Sequence, residues 1–433
     1  MSTQNLQDTA QFVLENLKKN GASKAGVFLT QTTKYELNVE REDITLYRTT
    51  ENTSVSMSAL VGTKRGVVRT NNLLPDALLE NSKKAVSLAN VNKEDSGNDI
   101  SPSQDHKNIC VGDEEPDSES MYKRLKEFLD YAKVSYPTLK FDSCIFSFDL
   151  ENQMYANTNS VLLHQKIGSY SFSPMFFAKD KNGVSSFNSG GATHLNLNTP
   201  LQNWGNLDEL MKQSCEQTKT EKLNDSFVGD VILTPDVVLE FIYTALNEFL
   251  GDMSMITNSS IWKDKLNEQV VSTLLTVALK PEMGGVEIPN LITDDGFIAK
   301  NTTIIDKGIL KSFLLNLYGM LKTNKPRCPA GSYGLVIEPG TNSRSALVKN
   351  VKRGILLSRF SGGRPAPNGD FSGVAKNSYL IENGVITKPL SETMVAGNTA
   401  KVLESILGIS SETTNFGSMQ APWIHSTGIT ISG

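Results

Sequence analysis

The sequence predicts an α+β protein: an N-terminal α/β domain with an antiparallel sheet and repeated helix-strands-helix units, followed by a β-rich C-terminal domain. Three observations carry this reading. The apolar period changes from helical to two after Asn20-Gly21, the connections between the alternating runs are short, and beyond residue 222 one long helix is followed by many short strands. A chain of 433 residues exceeds one average core, so we place a boundary at 222 and divide it into 1–222 and 223–433.

Leu6, Ala10, Val13, Leu14 and Leu17 recur at helical spacing, and Asn20-Gly21 supplies the stop. Gly26–Leu29, Tyr35–Val39, Ile44–Tyr47 and Val55–Val61 then read as four successive strands. Their short connections imply antiparallel pairing, because a parallel crossover needs about a dozen residues. Gly62–Gly66 turns the chain into Val67–Arg69, and a helix runs from Pro75 to Ala89. Residues 90–117, rich in Asn, Asp, Ser, Gly and Pro, read as an exposed acidic excursion; they lack the alternating ligands and glycine of a calcium loop. A helix at Met121–Ala132, alternating strands between Phe141 and Phe187 with a turn at Asp180–Gly183, and a helix at Leu207–Cys215 repeat the first order of elements. Beyond the boundary we expect a helix at 235–250, strands at Thr302–Ile305 and Ile309–Phe313, a hairpin at Asn383-Gly384 and a helix at Ala400–Leu407.

Composition excludes several classes. Apolar residues at 39% and charged residues at 21% are those of a soluble globular protein, and a net charge of −5 leaves no basic footprint for direct nucleic-acid binding. No apolar run approaches the ~18 residues of a membrane span, and the first residues show neither the basic nor the apolar region of a signal peptide. The expected location is cytoplasmic, with no membrane partner.

Cys110, Cys144, Cys215 and Cys328 form no Cys-x-x-Cys and are expected as reduced thiols. Cys328, between Arg327 and Pro329, is expected in a loop with an exposed thiol but no histidine partner that would make it a nucleophile. Ala330-Gly331-Ser332-Tyr333-Gly334 approaches a nucleophile elbow, yet prolines precede it and the strand-like Leu335–Ile337 follows, so it reads as a turn before a strand. Asp294-Asp295-Gly296 reads as an ordinary turn. His106, His164, His194 and His425 never fall at His-x-x-x-His or His-x-x-His spacing. We expect them solvated or singly hydrogen-bonded, with a zinc site built from distant residues as the alternative.

The Gly/Pro-rich segment Gly362–Gly373, running into Asn377–Thr387, is the most informative in the chain. With Gly229–Pro235, Ile304–Leu310, Met394–Asn398 and Gly428–Gly433, it resembles the TldD/PmbA family, bacterial and archaeal proteins once called modulators of DNA gyrase and understood as peptidases or peptidase subunits. The metal-carrying branch bears His-Glu-x-x-x-His on the helix matching 235–250 and a cysteine near the C-terminus. Here those ligand positions fall on Ile242, Tyr243, Leu246 and Asn247, and on Phe416.

The resemblance is therefore to the PmbA/TldE-like branch. It implies no catalytic residue, metal or cofactor in this chain, zinc in a TldD-like metallopeptidase partner, and unfolded peptide as substrate. Arg364 and Asp370 are candidate peptide- or partner-contacting residues, with mutual pairing as the plainer alternative. Two other readings remain open: a homodimeric non-metal hydrolase, and a structural peptide-binding homodimer.

Overall fold

The computed structural model describes residues 3–40, 43–362, 365–391 and 393–433. Helix α1 (Thr3–Lys19) buries Leu6, Ala10, Val13 and Leu17, and ends at Gly21, whose φ of +105° suits a residue without a Cβ. The period-two region that follows forms β1 (Lys24–Glu40) and β2 (Asp43–Val61), paired antiparallel from Lys24↔Leu60 to Glu40↔Asp43. Two long strands thus replace the four short ones expected. The intervening Thr30-Gln31-Thr32-Thr33-Lys34 and Thr49–Ser54 are polar without being turn-formers, and threonine fits a pleated surface.

A turn at Gly62 leads into β3 (Lys64–Thr70), and α2 (Pro75–Val91) starts with its proline in the first turn. The 90–117 excursion is more than an exposed loop. It buries Ile100 and Ser101 and contributes β4 (Lys107–Val111), which pairs in parallel with a later strand. Polar composition concealed this, because its anchors are side-chain hydrogen bonds to other elements, such as Asn157 Nδ2 to the Ser101 carbonyl at 2.9 Å.

Helix α3 (Ser118–Ser135) is capped by Asp117, whose side chain accepts from the Ser120 N–H at 3.0 Å. Then come β5 (Leu139–Asn157), β6 (Leu162–Ala178), the short β7 (Asn188–Ser189) and β8 (Ala192–His194), and α4 (Leu207–Glu216). The strand order is β3-β2-β1-β5-β6-β4, with β7 and β8 on β6. Leu29 and Leu37 lie on the same face of β1. At one end of that face α1 and α2 pack on Val27, Leu29 and Met57; at the other, α3 and α4 pack on Leu37, Phe146 and Phe172. The opposite face carries Thr30, Thr32, Lys34 and Glu36 on β1, with Asp149, Glu151 and Gln153 opposite them on β5.

The C-terminal half opens with β9 (Ser226–Leu233), α5 (Pro235–Leu250) and α6 (Asp252–Ile256). It continues through β10 (Val277–Leu279), β11 (Thr302–Asp306), β12 (Ile309–Leu310), α7 (Leu317–Thr323), β13 (Leu335–Ile337), α8 (Arg344–Lys349) and β14 (Arg353–Leu357). The remainder is β15 (Arg359–Gly362), β16 (Asp370–Lys376), β17 (Tyr379–Glu382), β18 (Val385–Pro389), β19 (Thr393–Asn398), α9 (Thr399–Glu404), β20 (Ile406–Asn415) and β21 (Gln420–Ser432).

The main path of this mixed sheet is β12-β11-β10-β13-β21-β9-β14-β17-β18, and α5 lays Val237, Phe241, Ala245 and Phe249 into its core. The β17–β18 hairpin turns at Asn383 and Gly384 with φ of +51° and +78°, as the sequence leads one to expect. The expected helix at Ala400–Leu407 stops at Glu404, because Ile406 already belongs to β20, and the expected strand Ile309–Phe313 is paired only as β12. Among the described residues, no helix is long and apolar enough to cross a membrane.

Candidate functional site

The C-terminal end of α5 opens onto a recess of about 390 Å³ lined by the loops around residues 295, 315 and 330. Gly251 ends the helix and Asp252 follows, its Oδ1 accepting the Asn316 N–H at 3.1 Å. A Cβ on Gly319 would stand 1.9 Å from that oxygen, so only glycine leaves room for the carboxylate. Burial, assisted by the negative charge of Asp295, raises the pKa of Asp252 above the ordinary carboxylate value.

Asp295 is held by a fork. Arg327 donates Nε to Oδ2 at 2.8 Å and Nη2 to Oδ1 at 2.6 Å, while the Leu317 N–H and the Thr293 hydroxyl donate at 2.7 and 2.6 Å. Burial pushes this carboxylate up, but the Arg327 guanidinium and the other donors outweigh it and hold the group below its usual value. The guanidinium also lies over the Phe297 ring at 3.8 Å. Tyr333 lines the same recess, and burial pushes its phenol up to about 12.

The loop bearing Asp295 is docked on the N-terminal sheet, which the expectation of an ordinary turn had missed. Gly296 does turn the chain, with φ of +78°, but a Cβ there would meet the Tyr155 ring at 2.1 Å. Gln104 Nε2 donates to the Gly296 carbonyl at 2.6 Å, and Gln165 Oε1 accepts the Leu291 N–H at 2.8 Å. The polar face of the N-terminal sheet is therefore seated against this side of the recess.

The residues that the resemblance matches to the family's metal ligands differ in their surroundings. Ile242 and Leu246 are 1% and 2% exposed in the core. Tyr243 and Asn247 are exposed, Asn247 at the lip of the recess with its Nδ2 bonded to the Tyr243 carbonyl at 2.8 Å. Phe416 packs against the core, and its carbonyl accepts the Thr193 N–H from β8 at 3.2 Å. Two core aliphatics, a phenol, an amide and a phenyl ring do not fit a zinc ion, which takes imidazole, thiolate or carboxylate. Among the described residues, no three His, Cys, Asp or Glu side chains are grouped to hold a metal ion.

The histidines have individual partners. His164 is buried with Nδ1 2.7 Å from Asn108 Oδ1 and Nε2 2.6 Å from Asn152 Oδ1, two contacts rather than the expected one. His425, buried in β21, has Nε2 3.4 Å from Asp230 Oδ2. His194 Nδ1 lies 2.8 Å from Glu287 Oε2, and a ring nitrogen of the exposed His106 lies 3.3 Å from the Ser160 carbonyl. Burial lowers the pKa values of His164 and His425.

Cys328 corrects the expectation of an exposed thiol. It is 1% exposed beneath the recess, its N–H bonded to the Leu315 carbonyl at 2.7 Å, and burial pushes the thiol up. Its proline-flanked segment folds inward because Arg327 is drawn to Asp295. The Ala330–Gly334 segment is a turn ahead of β13, as expected. Asp370 begins β16 and accepts from Asn398 Nδ2 at 2.8 Å and Asn368 Nδ2 at 2.7 Å, contacts that shape its own loop. Arg364 lies outside the described residues.

Residues 227–433 match the PmbA/TldA metallopeptidase C-terminal domain. The chain carries a PmbA/TldD-family domain in this half. The sequence is 31% identical to a metalloprotease of Methanocaldococcus jannaschii over 43% of this chain, and spans 43% of that protein's length. It is 22% identical to a metalloprotease PmbA homologue of Haemophilus influenzae over 99% of this chain and 96% of that protein. The fold is that of TldE from Thermococcus kodakarensis, with a TM-score of 0.85 at 16% identity, covering 98% of this chain and all of that one. The chain thus shares its α+β architecture with that structure across both halves, although the first relative is matched over less than half its length.

Proposed function

We propose that this chain is the TldE-like, non-catalytic subunit of a two-component zinc metallopeptidase. A TldD-like partner supplies the metal and its activated water, and the complex acts on extended, unfolded peptide in the cytoplasm. The observation that carries the reading is helix α5, which the resemblance matches to the family's metal-ligand helix and which presents Ile242 and Leu246 to the core and Tyr243 and Asn247 to solvent. The chain's own residues then serve to hold and orient. Asn247, Asp252 and Tyr333 offer polar groups to a peptide backbone, and the Asp295–Arg327 fork fixes the loop that joins the two halves.

The test is hydrolysis of an unfolded protein by the purified chain, by a TldD-like partner and by their mixture, each with and without chelator, with bound zinc quantified. Chelator-sensitive hydrolysis that is greater in the mixture than with the partner alone, with zinc in the partner only, is expected. Stoichiometric zinc with activity in this chain alone, or chelator-resistant hydrolysis by it, would overturn the assignment.

A further inference from the structure

A second recess, of about 430 Å³, lies where α4 of the N-terminal half meets β14, β17 and β18 of the C-terminal half. It lies apart from the cleft at the end of α5. Its polar end is built by one helical face: Glu209, Gln213 and Glu216 recur at spacings of four and three on α4. Its apolar wall includes Leu356 and Ile386.

The recess lacks a hydrogen-bond donor for one buried atom. Gln213 is 4% exposed; its Nε2 donates to Glu209 Oε1 at 3.1 Å, but its Oε1 has no partner. A buried amide oxygen left in this state is destabilising, so a donor is missing. Glu216 takes the Tyr379 hydroxyl on Oε2 at 2.7 Å, and Lys212 stands 3.9 Å from its other oxygen. Arg344 is not available to an incoming anion: it forks onto Glu209, with Nη1 2.7 Å from Oε2, and lies over the Trp423 ring at 4.7 Å. Of the residues that line the recess, the buried polar atom without a partner is an acceptor, Gln213 Oε1; the exposed Lys212 also lines it, and the wall is apolar. That combination fits a ligand with an alkyl stem and a donor-rich cationic head.

We propose that this recess binds a primary alkylammonium, with the stem along Leu356 and Ile386 and the ammonium donating to Gln213 Oε1 and Glu216. A lysine side chain of a polypeptide and a free diamine share this chemistry. The site belongs to this chain alone, so it depends on neither a metal nor a partner subunit.

Ligand-observed NMR of the intact chain would be run with three probes: a capped Ala-Lys-Ala tripeptide, its norleucine counterpart and cadaverine. Saturable binding of the lysine tripeptide or of cadaverine is expected, and which of the two binds more tightly distinguishes polypeptide from free amine. The norleucine peptide should bind at least about tenfold more weakly, as should the lysine peptide to Gln213→Leu and Glu216→Gln, since one charge-assisted bond accounts for such a factor. Glu216→Gln alters an exposed position, so its fold is secure if Gln213→Leu fails to fold. Equal binding of lysine and norleucine, no saturable binding of either amine, or unchanged affinity in Glu216→Gln would overturn the proposal.

Discussion

Asn206, the N-cap of α4, donates its side-chain amide to the carboxylate of Asp236 in the first turn of α5, so that two helices from opposite halves of the chain meet through one hydrogen bond. Burial pushes Asp236 up to about 6 from 3.8, more than the Asn206 bond lowers it, and Glu209 adds to the rise. The folded protein therefore holds this proton more tightly than the unfolded chain does. The resulting stabilisation is complete below about pH 4 and is lost as pH rises through about 6. Asp236→Asn keeps an acceptor for Asn206 and removes the buried charge. We expect it to raise unfolding stability at pH 7.5 by about 1–3 kcal/mol and to leave it nearly unchanged at pH 4. Denaturant midpoints at the two pH values check this, and a variant no more stable than wild type at pH 7.5 refutes it.

His425 carries the opposite sign. Burial is the largest influence on it and lowers its pKa below 6.5, although Asp230 pulls the other way. The unfolded chain then binds the proton more readily, so stability falls as pH drops below the unfolded value towards the folded one. His425→Gln should lose less stability than wild type between pH 7.5 and 5.5. Thermal melts of both proteins across that window decide it, and parallel losses would mean that His425 does not contribute.

Much of the architecture was legible because it is local. The helical period of Leu6 to Leu17, the Asn383-Gly384 turn and the proline opening α5 are each read within a few residues. Strand ends were less legible, since Thr30–Lys34 lacks any breaker and only the β1–β2 register shows that the strand continues through it. The resemblance assigned ligand positions to α5 and Phe416. Their burial was not legible, because it depends on which face meets the sheet. The Arg327–Asp295 fork and the contact of Tyr155 with Gly296 join segments far apart in the chain, and no spacing announces such pairs.

Gly296 tests the junction between the halves. Alanine there would need φ of +78° and would place its methyl 2.1 Å from the original Tyr155 ring position. The strain and overpacking together should cost about 2–4 kcal/mol. They should also loosen the loop from the N-terminal sheet, seen as faster protease cleavage between 290 and 300. Wild-type stability and cleavage in Gly296→Ala would show that the loop is not held by this contact.

Arg327→Lys tests whether the recess is fixed by the fork or merely by charge. Lysine keeps the positive charge but cannot donate in parallel to both Asp295 oxygens or lie flat over Phe297. Side chains that are 11% and 14% exposed leave little water to repair the lost bonds, so a destabilisation of about 2–4 kcal/mol is expected. The loss should shrink in acid, where Asp295 takes up a proton and no longer needs two charged donors. If unfolding shows the lysine variant within about 0.5 kcal/mol of wild type at pH 7, surface-like charge pairing rather than fork geometry holds the loop.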